Sequence, residues 1–388
     1  YTLYILICAI IFYRFMITQR RYFMIYFDNA STTKMDEVVK NAVDEAYEKY
    51  WANPSSLHSL GFNVEKEIKK SRDIIAKKLN INPKSLFFVP SGTIANNSVI
   101  NSIKNNKKNI VISSVEHACV FNAAKNSEME VRIVNVDKFG FVDEEDLYSK
   151  IDDNTVLVSI IHVNNELGTI NNINKLAEIS KNKNPKILFH SDGVQAFNKI
   201  NVDLRNIDFY TISSHKINGP KGIAALYIKN AKIFNSLYFG GGQESNLFSG
   251  TENVQGIIGF AKASQLDNNF VYISNINKYL RQELSSMKGI VINSPINNVS
   301  PYILNVCFEK IGAEILLHYL EMDDIYISTG SACSKDKGSR VLEAINVEKN
   351  YKEGCIRISL SKNSTMDEAK LFVKKLEEKV EIIRGILG

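Results

Sequence analysis

Blocks of a single charge are missing from this chain. Its net charge is only +5 over 388 residues, with lysines and acids interleaved, so no basic stretch tracks phosphates and nucleic-acid binding is not expected. The five cysteines (Cys8, Cys119, Cys307, Cys333 and Cys355) include no C-x-x-C, and their odd count speaks against a disulfide framework. Free thiols fit a reducing, cytoplasmic setting. The six histidines include no H-E-x-x-H and no second ligand at helical spacing, so no metal site is expected. Internal repeats, low-complexity tracts and long linkers are also lacking. Residues 1–15 are apolar and aromatic but are broken by Arg14, and they fall short of the roughly 20 residues that span a bilayer. Positive charge (Arg20, Arg21) follows this run, whereas a secretory signal carries it in front. Residues 1–23 are expected to be a non-native or anchor-like extension, with the functional protein starting at Met24 and no membrane association. A short anchor is the alternative.

What is present reads as a soluble globular chain, 45% hydrophobic and 23% charged, long enough for two domains. Val38, Val39, Ala42, Val43, Ala46, Tyr47 and Tyr50 recur at helical spacing behind Asp36, which opens the helix. Short apolar runs follow at residues 85–89, 109–113, 131–136, 155–161, 186–190, 208–213 and 223–228. Several lack alternation, as strands covered on both faces do. Helical stretches between them predict an α/β layer with a mostly parallel sheet over residues 37–275. Further strand candidates at 290–293, 302–308, 325–328 and 355–360 predict a smaller α+β domain over 276–388. Its last helix opens on a capping box, Thr365 to Glu368.

Five polar clusters fall at the carboxyl ends of predicted strands, where open α/β sheets hold ligands. Ser91-Gly92-Thr93 is a glycine turn feeding a helix N-terminus, a phosphate-binding geometry that an ordinary strand–helix turn also produces. Ser213-Ser214-His215-Lys216 sets two hydroxyls beside an amine able to form a Schiff base with an aldehyde. Asp192, with Gln195 a turn later, offers a carboxylate suited to a pyridinium nitrogen, or simply a helix cap. His117 provides an imidazole for stacking or proton transfer. His162 to Glu166 provides amides for a phenolic oxygen. Each alone is unremarkable.

Together and in this order, the clusters resemble the cysteine desulfurases of the NifS/IscS type, within the class V aminotransferase-like enzymes that use pyridoxal 5'-phosphate (PLP). The resemblance runs from Met24 onward. It includes Asp28-Asn29-Ala30-Ser31-Thr32-Thr33, Asn53-Pro54-Ser55-Ser56-Leu57-His58, Gly240-Gly241-Gly242-Gln243-Glu244, Ser249-Gly250-Thr251-Glu252-Asn253 and Gly330-Ser331-Ala332-Cys333-Ser334. It implies the PLP-dependent transferase fold (aspartate-aminotransferase-like, fold type I), with residues 24–36 joining the small domain. Carried over residue by residue, it implies that Lys216 binds the cofactor aldehyde and Asp192 pairs with the ring nitrogen. His117 would stack on the ring and assist catalysis, and Asn165 and Gln195 would contact the phenolic oxygen. Gly92, Thr93, Ser213 and His215 would hold the phosphate. Asn165 and Arg357 would bind the substrate, L-cysteine, and Thr251 would reach the neighbouring subunit's phosphate in a homodimer.

The same resemblance makes Cys333 the sulfur acceptor, which passes its sulfur to an acceptor protein for iron–sulfur cluster assembly or thiolation. Small residues flank Cys333, and Lys335 and Lys337 follow, so an exposed loop with a thiolate favoured by cations is expected. Cys307 and Cys355 sit in apolar strands, where inert buried thiols are usual. The chain departs from the pattern in its short phosphate turn, and in Ser245 and Phe248, which stand where arginines are usual. Rival readings are a selenocysteine lyase or another class V PLP enzyme, and a catalytically weak paralogue serving as a scaffold.

Overall fold

The computed structural model describes residues 24–103, 108–329 and 339–387. Twelve strands lie among the described residues, in chain order β1 Ile25–Tyr26, β2 Leu86–Val89, β3 Asn109–Ser113, β4 Glu130–Val134, β5 Thr155–Ser159, β6 Leu188–Asp192, β7 Phe209–Ser213, β8 Ala224–Ile228, β9 Ile290–Ile292, β10 Ile303–Phe308, β11 Ile325–Tyr326 and β12 Cys355–Ser359. Every strand read from the sequence is found, with ends within two residues of those expected.

Seven strands form one sheet in the order β2-β8-β7-β6-β5-β3-β4. Neighbours from β7 to β4 pair parallel, and β8 alone runs against both its partners. The inner strands β3, β7 and β8 are buried at every position, which is why their runs are continuously apolar rather than alternating. The edge strand β4 is different: Glu130 and Ile133 are exposed, and a charged edge resists pairing with other chains. Helices connect β3 to β4, β4 to β5 and β5 to β6, and a run of turns connects β6 to β7, so the carboxyl ends of β3, β5, β6 and β7 lie along one side of the sheet.

A second sheet, β12-β10-β9, is antiparallel. Its apolar side chains share a core with the helices Phe270–Ser286, Ala313–Glu321 and Met366–Leu387. The last of these opens on the expected box: Thr365 N–H donates to Glu368 Oε2 (2.7 Å) and Glu368 N–H to Thr365 Oγ1 (3.2 Å). The two-residue β1 pairs parallel with β11. Asp36 caps the helix Glu37–Lys49, as read from the sequence.

One expectation fails. Cys307 and Cys355, expected as free thiols in a chain without disulfides, are joined by a disulfide. They are 48 positions apart, and only the antiparallel pairing of β10 with β12 sets them opposite one another. Spacing could not reveal that. Among the described residues, no helix is long and apolar enough to cross a membrane, and no group of three or more His, Cys, Asp or Glu side chains could hold a metal ion.

Candidate active site

The site is built where β3, β5, β6 and β7 end. Strand β7 passes at Ser213 into the tight turn Ser214–Lys216. A Cβ added to Gly219 would lie 2.1 Å from Ser214 Oγ, so only glycine lets the chain fold back here. Lys216 Nζ donates to the carbonyls of Ala30 and Ser31, each at 2.6 Å. Those carbonyls are fixed in turn, because Thr33 donates through both N–H (3.0 Å) and Oγ1 (2.8 Å) to the His215 carbonyl.

Asp192 ends β6 and is 4% exposed. Asn96 Nδ2 donates to its Oδ2 (2.7 Å) and the Val194 N–H to its Oδ1 (3.0 Å). The chain must turn sharply behind it: a Cβ on Gly193 would meet the Tyr210 ring at 2.0 Å. Gln195 Nε2 then donates to the Ala30 carbonyl (2.8 Å), the same oxygen that Lys216 holds.

His117 follows β3 and caps the helix Ala118–Lys125, its Nδ1 accepting from the Cys119 N–H at 3.2 Å. Burial draws its pKa below the usual histidine value, while the charge of Asp192 pulls the other way. His117 lies in a cleft of about 380 Å³ with Thr93, Asn97, Cys119 and Asn122. Burial pushes the Cys119 thiol up to about 12, so it is a poor nucleophile.

Ser91-Gly92-Thr93 opens the helix Gly92–Ser102, with Ser91 Oγ accepting from the Ile94 N–H at 3.2 Å. A Cβ on Gly92 would stand 3.0 Å from Val194 Cγ2 and 4.0 Å from Ser213 Cβ, so this turn lies against the end of β7. Three expected phosphate holders, Gly92, Thr93 and Ser213, are thereby brought together. The fourth, His215, has Nδ1 3.2 Å from Thr32 Oγ1. Burial, with Lys216 and Lys221 nearby, takes its pKa down to about 4, which leaves a neutral ring.

Arg357 arrives from β12 in the other sheet and is 3% exposed. Its Nη1 donates to the Asn165 carbonyl (3.0 Å), and its Nη2 to Asp28 Oδ1 (2.8 Å) and Ser31 Oγ (2.7 Å). Nε is buried without a partner, a donor in want of an acceptor. Thr251 is exposed, and no hydrogen bond among the described residues joins it to the others. Cys333 lies outside the described residues. The chain just beyond it is tied to the site: Ser339 Oγ donates to Glu166 Oε2 (2.5 Å), and Arg340 Nη2 to the Glu116 carbonyl (3.0 Å). Burial raises Glu166 to about 7 and Glu116 to about 8. Phe248 is buried against Phe234 and Tyr238, so packing occupies the place where an arginine is usual.

The model of the family described as aminotransferase class-V matches residues 25–372. The chain belongs to that family. Among its members, the chain is 39% identical over 377 residues to a NifS/IcsS protein homologue of Lactobacillus delbrueckii subsp. bulgaricus, covering 92% of this chain and 97% of that protein. It is 35% identical over 379 residues to the cysteine desulfurase IscS of Dictyoglomus turgidum, covering 93% and 96%. A solved NifS-like protein superposes with a TM-score of 0.86 at 33% identity, over 92% of this chain and all of that one.

A class-V aminotransferase of this kind is a PLP-dependent enzyme of fold type I, and the residues present fit that cofactor. An amine at Lys216 suits its aldehyde, and a doubly hydrogen-bonded carboxylate at Asp192 suits a pyridinium nitrogen. The helix N-terminus at Gly92 and Thr93 suits its phosphate. One residue that escaped the sequence reading is Asn96, which donates to Asp192, and the strip Asp28–Ser31 was read there only as a motif, without its part in holding Lys216 and Arg357. Each acts through another residue, so nothing in its local pattern announced that part.

Proposed function

We propose that this chain is a cysteine desulfurase, which takes sulfur from L-cysteine, releases L-alanine and carries the sulfur on Cys333. The observation that carries this reading is the convergence of Lys216, Asp192 and His117 from three strand ends with Arg357 from the middle of β12, and with Asp192 buried and held at both oxygens. The names of the relatives point the same way.

Bound there, PLP supplies an aldehyde for amines and a ring that withdraws electrons from the substrate's Cα. Asp192 would hold the proton of the ring nitrogen, since Asn96 and Val194 keep its carboxylate in place. Lys216 Nζ, aligned by two backbone carbonyls, would hold the cofactor and then take the Cα proton. His117, whose pKa burial lowers, would accept or return a proton beside the bound cofactor. The unpartnered Nε of Arg357 would take one oxygen of the substrate carboxylate, fixing its orientation. The Cys333 thiolate would attack the substrate sulfur. A sulfur–sulfur bond forms as the carbon–sulfur bond breaks, and the electron pair leaves with carbon, which is protonated to give alanine.

Trp51, Leu57, Phe62 and Phe239 are large, exposed and apolar, as the buried face of a homodimer would be before assembly. Thr251 would then reach the partner's phosphate. Delivery of sulfur to iron–sulfur cluster assembly or to thiolation, in the cytoplasm, completes the reading.

Purified protein supplied with PLP is expected to turn yellow, to lose that band on borohydride reduction and to release alanine from cysteine. Lys216→Ala should lose the reducible band. Cys333→Ala should keep the band and lose sulfide release. A colourless parent protein, or one that is yellow but makes no alanine, would overturn the proposal.

A further inference from the structure

Lys199 is a buried amine for which the chemistry above has no use. It is 6% exposed, and its Nζ donates to Gln195 Oε1 at 2.9 Å. On the other side of the same amide, Gln195 Nε2 donates to the Ala30 carbonyl, which also accepts from Lys216 Nζ. Lys199, Gln195, Ala30 and Lys216 thus form one continuous chain of hydrogen bonds. We propose that Lys199 is a positioning residue that locks the orientation of the Gln195 amide and thereby holds Lys216 and the Ala30 carbonyl in register for the reaction. The inference rests on the reading of Lys216 as the cofactor lysine.

Donors and acceptors fix which way the Gln195 amide points. A primary amide has an oxygen that accepts and a nitrogen that donates, and the two differ little in shape. A flip of Gln195 would set its NH2 against the Lys199 ammonium and its oxygen against the Ala30 oxygen, two donors facing and two acceptors facing. In its protonated form, which prevails below about pH 7, the Lys199 amine carries three donors and no acceptor, so it forbids the flip, whereas a neutral apolar neighbour would not. In the enforced orientation one N–H of Gln195 goes to Ala30, and the second remains for an acceptor within the site.

The surroundings fit this role. Lys216, Arg357 and His215 are the titratable groups that share an electrostatic interaction with Lys199, and Tyr302 lies 5.7 Å from Nζ with its ring centroid toward it. No carboxylate forms an ion pair with Lys199 among the described residues. Burial, reinforced by Lys216 and Arg357, lowers the amine to about 7. Burying an amine beside two like charges is costly, and a lysine kept only for packing would be replaced at no loss by methionine.

The test compares PLP-loaded parent, Lys199→Met, Gln195→Leu and the double variant. Three readings are taken: kcat and KM for cysteine, and the pH midpoint of the yellow band. Lys199→Met is expected to lower kcat at least tenfold with KM within threefold. Removing a like charge near Lys216 should also raise the midpoint, by roughly one pH unit. In the double variant the kcat loss should match that of Gln195→Leu alone within twofold, because the lysine acts through that amide. Unchanged kcat and midpoint in Lys199→Met, or losses that multiply in the double variant, would overturn the inference. If Lys199→Met does not fold, Lys199→Gln, shorter and uncharged, is read against the same thresholds. A parent protein with no reducible yellow band would sink the reading of Lys216 instead, and that control is read first.

Discussion

Replacing Asn96 by leucine removes one donor from Asp192 while nearly conserving volume. Asn96 is fully buried, and its Nδ2 lies 2.7 Å from Asp192 Oδ2 and 3.2 Å from Cys119 Sγ. A hydrogen bond to a charged acceptor contributes about 1.5–3 kcal/mol, and this one favours the ionised carboxylate. Its loss leaves the Val194 N–H as the other donor, so the carboxylate that would pair with the ring nitrogen is held at one oxygen instead of two. At about 1.4 kcal/mol per factor of ten, kcat should fall roughly 10- to 100-fold if the whole interaction is felt in the transition state. Stability should move far less. Asn96 Oδ1 is already buried without a partner, and removing that oxygen offsets the lost bond, so cofactor-free protein should unfold within about 1 kcal/mol of the parent. Alanine formation at saturating PLP and cysteine, with urea unfolding beside it, measures both. A kcat within threefold of the parent in a variant that still binds PLP would refute the role given to Asn96.

Three further outcomes are expected. Arg357→Ala should raise KM for cysteine about 100-fold, the loss of a charge-assisted carboxylate contact worth roughly 2–3 kcal/mol, while the yellow band persists; steady-state kinetics and absorbance check it. Glu116 is fully buried and raised from 4.5 to about 8 by desolvation. The folded state therefore holds its proton more tightly than the unfolded state, and its contribution is complete below pH 4.5 and lost as pH rises to about 8. Glu116→Gln should flatten the stability profile across that window, by up to about 1.4 kcal/mol per pH unit for one proton, as measured by urea unfolding at stepped pH. Finally, denatured but unreduced protein should take up alkylating reagent at three of its five cysteines, with Cys307 and Cys355 reacting only after reduction, by peptide mass spectrometry.

The large sheet was legible because its strands are buried on both faces: residues 109–113 or 224–228 could be little else. Lys216, Asp192 and His117 could be singled out as candidates because each stands at or just past a strand end with a side chain suited to chemistry, whereas Arg357 lies in the middle of β12 and was carried by the resemblance. The helix Ser59–Leu79 escaped attention, since it is capped by His58 through a ring nitrogen (3.3 Å) rather than by one of the usual short polar residues. Strand β11 was read from the sequence within residues 325–328, but its partner β1 was silent, because two residues carry no period. Asn96 and Lys199 look like ordinary helix and turn residues until the partner across space is known. The disulfide failed for the same reason, because a contact between positions 307 and 355 is a property of register and not of spacing.

The strip of residues 28–33 carries more of the site's geometry than any of its side chains would suggest. Its Ala30 N–H accepts no role in a sheet but donates to Ser359 Oγ (2.8 Å), and Asp28 bridges to Ser359 beside it, which fastens the strip to β12. On its other face the Ala30 and Ser31 carbonyls hold Lys216, and Ala30 also holds Gln195. Arg357 grips Asp28 and Ser31 from the same strand, β12, that Ser359 ends. The residue assigned to the substrate and the residue assigned to the cofactor are therefore connected through the four residues Asp28–Ser31 rather than through each other. Any shift of β12 against β7 must move Arg357 and Lys216 together, so the distance between carboxylate clamp and amine is set by this strip.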